Sequence, residues 1–140
     1  MKIQSTSNLN FNAKIINNES FNEIRSYALE HNKFAKFKQT LENIDKIRKD
    51  TFLKMDICYT NEYPTIVFSR YEYGWDPKLK QQTNNLVLKK QVDYVSTKKE
   101  KPEKFALRKF IKLGNNAPDN NMYQDVVIKK EKTKKPYCLF

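Results

Sequence analysis

Residues 51–73 read TFLKMDICYTNEYPTIVFSRYEY, and this segment sets the architecture that the rest of the chain completes. Its first part alternates apolar and polar residues, which is typical of a half-buried strand. A second strand starts at Thr65, and Asn61-Glu62 lies between the two runs as a turn. The segment therefore predicts an antiparallel hairpin whose register places apolar side chains together. The facing pairs are Ile57 with Ile66 and Met55 with Phe68.

Residues 20–49, which precede the hairpin, have a helical pattern. Ser20 and Glu23 have the spacing of a capping box, in which each side chain satisfies a free backbone N–H of the other residue. Apolar residues then recur at intervals of three and four. The pattern weakens near His31-Asn32, where Asn favours a helix end. The sequence leaves two alternatives open, one bent helix or two consecutive helices.

The rest of the chain adds three short strands and a second helix. Strands are predicted at residues 9–15, at about 86–95 after a polar, basic loop (78–85), and at 126–128. The order β-α-β-β-β-α-β indicates an α+β fold with a mixed or mainly antiparallel sheet and helices on one face. The predicted organisation is a flexible N-terminus (1–8), a single domain (9–128) and a Lys-rich C-terminal tail (129–140).

The apolar positions of these elements predict the core. Arg70 shares a face with Ile66, so we expect its stem to be buried and its guanidinium to be solvated. That group would pair with Glu72 or Asp56, or stack on Tyr71. The side chains expected to be mostly buried are Phe34, Phe37, Leu41, Ile44, Met55, Ile57, Phe68, Leu107 and Phe110.

The composition excludes several classes of protein. The chain has 140 residues with 39% hydrophobic content, which is enough for one core. Apolar runs of at most four residues exclude a transmembrane span. Cys58 and Cys138 are expected to be free thiols, and without a standard signal peptide we expect a cytoplasmic protein.

The sequence offers no catalytic constellation. His31 is the only histidine, no cysteine spacing suits a metal, and neither of the two glycines stands in a phosphate-binding loop. We therefore expect a protein that is not an enzyme, with no catalytic residues, metal or cofactor.

The second helix, over residues 102–113, carries the strongest functional indication. Pro102 suits its first turn, and Gly114 suits the position just past its end. Basic residues at spacings of three and four line one stripe of this helix, which would match phosphates along a nucleic acid. The stripe is Lys101, Lys104, Arg108 and Lys112, with Lys98, Lys99, Lys129 and Lys130 as further candidate nucleic-acid-binding residues.

A protein partner is the alternative. The net charge of +11 comes from 23 Lys and only 4 Arg beside 15 Asn, a mixture that AT-rich coding produces whatever the function. The stripe would then be an ordinary solvated helix face. Tyr71, Tyr73 and Trp75 would point to one side of an extended strand. This region would serve an adaptor or inhibitor, of phage or mobile-element origin, that binds an acidic protein.

Three resemblances accompany these interpretations. The order α-β-β-β-α over residues 20–113 resembles that of double-stranded-RNA-binding domains, although the Gly-rich approach to that family's second helix is absent. With the last strand, the order resembles the restriction-endonuclease-like core. No acid stands two residues before Lys89 or Lys90, so the catalytic metal site of that family is not implied. Residues 8–14 resemble the opening motif of small uncharacterised proteins from AT-rich, uncultured gut bacteria, which implies a bacterial or phage source.

Overall fold

The computed structural model of the protein describes residues 15–47, 50–59, 62–117 and 119–124. These residues form three helices and a three-stranded antiparallel sheet, which confirms the α+β class. The elements in chain order are α1 (Glu19–Glu30), α2 (Phe34–Asp45), β1 (Thr51–Cys58), β2 (Thr65–Asp76), β3 (Gln81–Val95), α3 (Pro102–Asn116) and a 3₁₀ turn (Asn121–Tyr123).

The sheet has the strand order β1-β2-β3. Ile57 lies opposite Ile66 and Met55 opposite Phe68, so the predicted hairpin register is confirmed. Buried and half-buried residues alternate along β1, because one face of the sheet packs against the helices.

The predicted loop at 78–85 is wrong, because β3 begins at Gln81. The far ends of β2 and β3 pair beyond the last β1 partner, Glu72, and form a two-stranded ribbon that ends with Asp76 opposite Gln81. Backbone hydrogen bonds hold this ribbon, and most of its β3 side chains are exposed. Residues 81–85 therefore lack the apolar alternation that identified the other strands.

The two outer strands of the predicted order are mostly beyond what the structure describes. Residues 9–14 and 126–128 lie outside the described residues, as do the N-terminus (1–8) and the tail (129–140). Ile15 forms an isolated parallel bridge with Leu53, and the N–H of Ile16 donates to the carbonyl of Leu53 at 2.8 Å. One edge of β1 is partly covered in this way.

The predicted capping box at Ser20 is wrong, because α1 is capped by Asn18. The side-chain oxygen of Asn18 accepts from the N–H of Phe21 at 2.9 Å. Its amide nitrogen donates to the carbonyl of Met55, also at 2.9 Å. The Ser20 hydroxyl instead accepts from the N–H of Ile57 at 3.0 Å. Both polar side chains thus join the start of α1 to β1.

Residues 20–49 contain two helices, which resolves the alternative left open by the sequence. Helix α1 ends at Glu30, and Asn32 has a φ of 57° in the left-handed region, where Asn is tolerated. Helix α2 then starts at Phe34 without a side-chain cap.

The core lies between the helices and the inner face of the sheet. Phe37 packs near Phe21 and Phe110, with ring centroids 5.7 and 5.5 Å apart. Eight of the nine predicted core residues are buried. Phe34 is the exception: it is the first residue of α2, it is 36% exposed, and its ring centroid lies 5.8 Å from that of Phe37. Within the described residues, no helix has the length and apolar character that crossing a membrane requires.

Gly114 does not follow the end of α3 as predicted. The helix continues to Asn116, and Gly114 is buried against α2. A Cβ atom there would lie 2.5 Å from Cγ2 of Thr40. The glycine permits close approach of α2 and α3, which brings the surfaces of these two helices together.

Candidate nucleic-acid interface

Helix α3 exposes the basic stripe and buries the opposite side. Lys104, Arg108 and Lys112 are exposed, whereas Phe105 and Phe110 are in the core. Successive members of the stripe are about one helical turn apart, or roughly 5–6 Å along the axis. The three cations therefore form a continuous row on the solvent side of the helix layer.

Arg108 is held by an acidic partner. Its two terminal nitrogens donate to the two carboxylate oxygens of Glu100 at 2.8 and 2.9 Å. The Glu100 side chain is only 5% exposed, and it also accepts from the Ser96 hydroxyl at 2.6 Å. These hydrogen bonds, chiefly the two from Arg108, lower the pKa of Glu100 to about 2. Arg108 thus has a structural role that a substitution would remove.

The N-terminal members of the basic set are not available in the same way. Lys101 lines a cavity of about 460 Å³ whose other lining includes Glu19, Glu23, Glu30 and Glu103. This surrounding negative charge opposes a phosphate contact. Lys98 and Lys99 are exposed, and the ammonium of Lys99 lies 2.9 Å from a carboxylate oxygen of Glu62. Lys129 and Lys130 lie outside the described residues.

The structure adds two lysines that sequence reasoning missed. Lys33 and Lys36, at the start of α2, face Lys104 and Arg108 of α3 across a groove of about 250 Å³. The groove is also lined by Tyr27, Leu107 and Ile111, and no carboxylate lines it in the described part of the chain. We call this site the basic groove. The spacing of three between Lys33 and Lys36 was visible in the sequence, but their neighbour α3 is 68 positions further on at Lys104.

Lys109 lies on the other side of α3. Its ammonium lies 5.0 Å from the ring centroid of Tyr94 and 5.8 Å from that of Phe105. Burial, with the nearby charges of Lys112 and Arg108, lowers the pKa of Lys109. Lys109 therefore packs on aromatic rings instead of extending the stripe.

Tyr71 and Tyr73 lie on the sheet face opposite the helices. Tyr71 pairs with Phe52 of β1, and the ring of Tyr73 meets that of Phe52 edge-on at 5.4 Å. Trp75, further along the ribbon, is 61% exposed. No described element covers this face, which carries the outer-face cluster of Phe52, Tyr71, Tyr73, Leu86 and Leu88.

Two other basic side chains, Arg70 and Lys90, contact the 3₁₀ turn. Arg70 is 3% exposed, so the expectation of a solvated guanidinium is wrong. It donates to the carbonyl of Met122 at 3.0 Å, and its Nε lies 3.5 Å from a carboxylate oxygen of Glu72, one of the alternative partners predicted for it. Lys90 donates to the side chain of Asn121 at 3.2 Å. Both side chains connect the sheet to the 3₁₀ turn, and for Arg70 these acceptors also offset the cost of burying its guanidinium.

Other chemistry has little support among the described residues. No three His, Cys, Asp or Glu side chains within the described ranges come together as metal ligands. Cys58 is a free thiol on β1, and Cys138 lies outside the part that the structure describes.

No protein-family model, curated protein or solved structure matches this chain. The geometry of the basic groove and of the outer-face cluster is therefore the basis for the functional conclusion.

Proposed function

We propose that this protein is a non-catalytic binding protein that contacts the phosphates of nucleic acid through the basic groove and the adjacent cations of α3. The observation that carries this proposal is the meeting of four cations from two helices: Lys33, Lys36, Lys104 and Arg108 line one groove that has no acidic lining in the described residues. Lys112 continues the row along α3. Opposed cations on two walls suit a chain of negative charge that passes between them.

The residue types favour contacts to phosphates over contacts to base edges. Three of the four cations are Lys. The ammonium of Lys is a point charge, and it lacks the planar guanidinium of Arg that forms bidentate hydrogen bonds with bases and carboxylates. Arg108, the one guanidinium, already holds Glu100. Phosphate contacts position a protein on nucleic acid and carry little sequence information. We expect similar affinities for unrelated sequences.

Salt dependence tests the proposal. Lys36→Gln/Lys104→Gln removes two exposed groove cations without disturbing the Arg108–Glu100 pair. If both contact phosphates, the slope of log K against log salt should become shallower by about 1.8 on duplex and about 1.4 on single strands. The measurement is a fluorescence-anisotropy titration at several salt concentrations.

The matched control is Lys54→Gln/Lys78→Gln, which removes the same charge from half-buried Lys54 on β1 and from exposed Lys78 in the turn between β2 and β3. This control should keep the wild-type slope, because its lysines lie outside the groove. Equal slopes for the two double variants would show that only overall charge matters. Undetectable binding of duplex and single strands at low salt would reject nucleic acid as the partner.

A protein partner remains the second candidate, and the outer-face cluster specifically favours it. Leu86 and Leu88 are exposed beside Tyr73 and Tyr71 on the sheet face that no described element covers. Apolar side chains grouped on one open face are typical of protein interaction sites. A partner recovered after nuclease treatment, and lost on Leu86→Ser/Leu88→Ser but kept with Lys36→Gln/Lys104→Gln, would establish this alternative.

A further inference from the structure

We propose that the nucleic acid in the basic groove is single-stranded and that an unpaired base packs on the apolar floor between the two rows of cations. This inference rests on the proposed function and adds the class of nucleic acid. It concerns the part of the groove that phosphate contacts leave unexplained, namely Leu107, Ile111 and Tyr27.

The floor of the groove is apolar. Leu107 is buried, Ile111 is half-buried and packs against the core, and Tyr27 is half-buried with its ring stacked on His31. Water that covers the exposed parts of Ile111 and Tyr27 is released when an apolar surface replaces it. A ligand that fills the groove must therefore offer an apolar surface as well as negative charge.

The walls supply the charge. Lys33 and Lys36 stand on the α2 side, and Lys104 and Arg108 stand on the α3 side. A nucleotide strand has phosphates on both sides of each base. A base on the floor would therefore have cations near both of its flanking phosphates, and each contact would release condensed counterions.

A duplex does not fit this combination. Its bases are stacked inside the helix and present only their edges in the grooves, so no base face can reach Leu107 or Ile111. A duplex would contact the lysines and leave the floor in water. Proteins that bind single strands combine a positive groove with surfaces on which the faces of bases pack.

Three ligands of the same length test the inference with the wild-type protein. They are a mixed-sequence single strand, the same strand in duplex form, and a strand of abasic sugar-phosphate units. We expect the affinity of the single strand to be at least about fivefold higher than that of the abasic strand. A factor of about five is the lower limit expected for the loss of one base contact. The duplex should also bind more weakly than the single strand.

A variant locates the contact. Ile111→Gln should weaken binding of the single strand by about fivefold or more while the salt slope stays that of wild type, because no cation is removed. The matched control is Leu29→Gln, an exposed apolar residue on α1 outside the groove, which should bind like wild type. Circular dichroism should show that both variants are folded, and the abasic comparison stands even if Ile111→Gln is not.

The outcomes separate the two proposals. Equal binding of the abasic and base-containing strands, or tighter binding of the duplex, overturns the packed base but leaves phosphate binding in place. Failure of all three ligands to bind at low salt overturns the proposed function itself. A loss in Ile111→Gln that Leu29→Gln shares also overturns the inference, because the effect would not belong to the groove.

Discussion

At the scale of single residues, Glu100 makes one cation of the basic groove, Arg108, costly to substitute. Its buried carboxylate accepts two hydrogen bonds from Arg108, so an uncharged residue at 108 leaves it with the Ser96 hydroxyl but without its paired cation. Arg108 itself is exposed, but a buried carboxylate that loses its cation costs more than the loss of a pair in which both charges are exposed. The sequence presented Arg108 as one of four equal cations, because Glu100 is eight positions away and lies before the helix.

The pKa of Glu100 gives a prediction at this scale. Since that pKa is about 2 in the folded protein, below the ordinary value near 4.3, the carboxylate stabilises the fold fully above about pH 4.3. This stabilisation is lost as the pH falls toward 2. We expect the difference in melting temperature between wild type and Glu100→Gln to be largest at neutral pH and to shrink across that window. A pH-independent difference in thermal scans would contradict the assignment.

At the scale of elements, Gly114 shows that α2 and α3 pack at close range. Alanine at an exposed position in a helix is more stabilising than glycine by about 1 kcal/mol. Here the added methyl group would meet Thr40, so we expect Gly114→Ala to lower the free energy of unfolding by about 1–3 kcal/mol. Urea denaturation measures the change. A loss of stability shows that the contact with Thr40 outweighs the higher helix propensity of Ala, and a gain shows the opposite.

A second substitution identifies the cause. Thr40→Ser removes the methyl group that is 2.5 Å from the new Cβ and keeps the hydroxyl that donates to the Lys36 carbonyl. Gly114→Ala should therefore cost less in the Thr40→Ser background. Equal losses in both backgrounds would mean that the methyl contact is not the reason for the glycine.

The elements also show what the sequence reveals. The register of β1 and β2 was predictable because one face of each strand is buried, which makes the polar and apolar positions alternate. The start of β3 was not, because the ribbon at residues 81–85 is held by its backbone and carries polar side chains. Likewise, Ser20 has the spacing of a cap, but its hydroxyl is bonded to β1, a contact 37 positions away.

At the scale of the whole molecule, charge and apolar surface are separated. The helix layer has an acidic cavity beside α1 and the basic groove between α2 and α3, and the sheet exposes the outer-face cluster on the opposite side. The stripe on α3 followed from helical periodicity alone. The groove did not, since it requires the packing of two helices that are distant in the sequence.

The packing of α2 against α3 also predicts the cost of truncating the two aromatic rings that meet between these helices. Phe37 of α2 and Phe110 of α3 are buried, and their ring centroids are 5.5 Å apart. Each change to Ala should lower the free energy of unfolding by about 3–5 kcal/mol, which is a large part of the stability of a small domain. We therefore expect measurable folding of the variants only in a stabilising osmolyte such as trimethylamine N-oxide.

In that osmolyte, the double variant should lose less than the sum of the single losses, by about 0.5–3 kcal/mol, because the first truncation already removes contacts of the second ring. Urea denaturation of wild type, both single variants and the double variant gives this coupling. Unchanged thermal midpoints for the single variants would refute the assigned core. Strict additivity would refute the direct contact between α2 and α3 at these rings, and with it the packing that forms the basic groove.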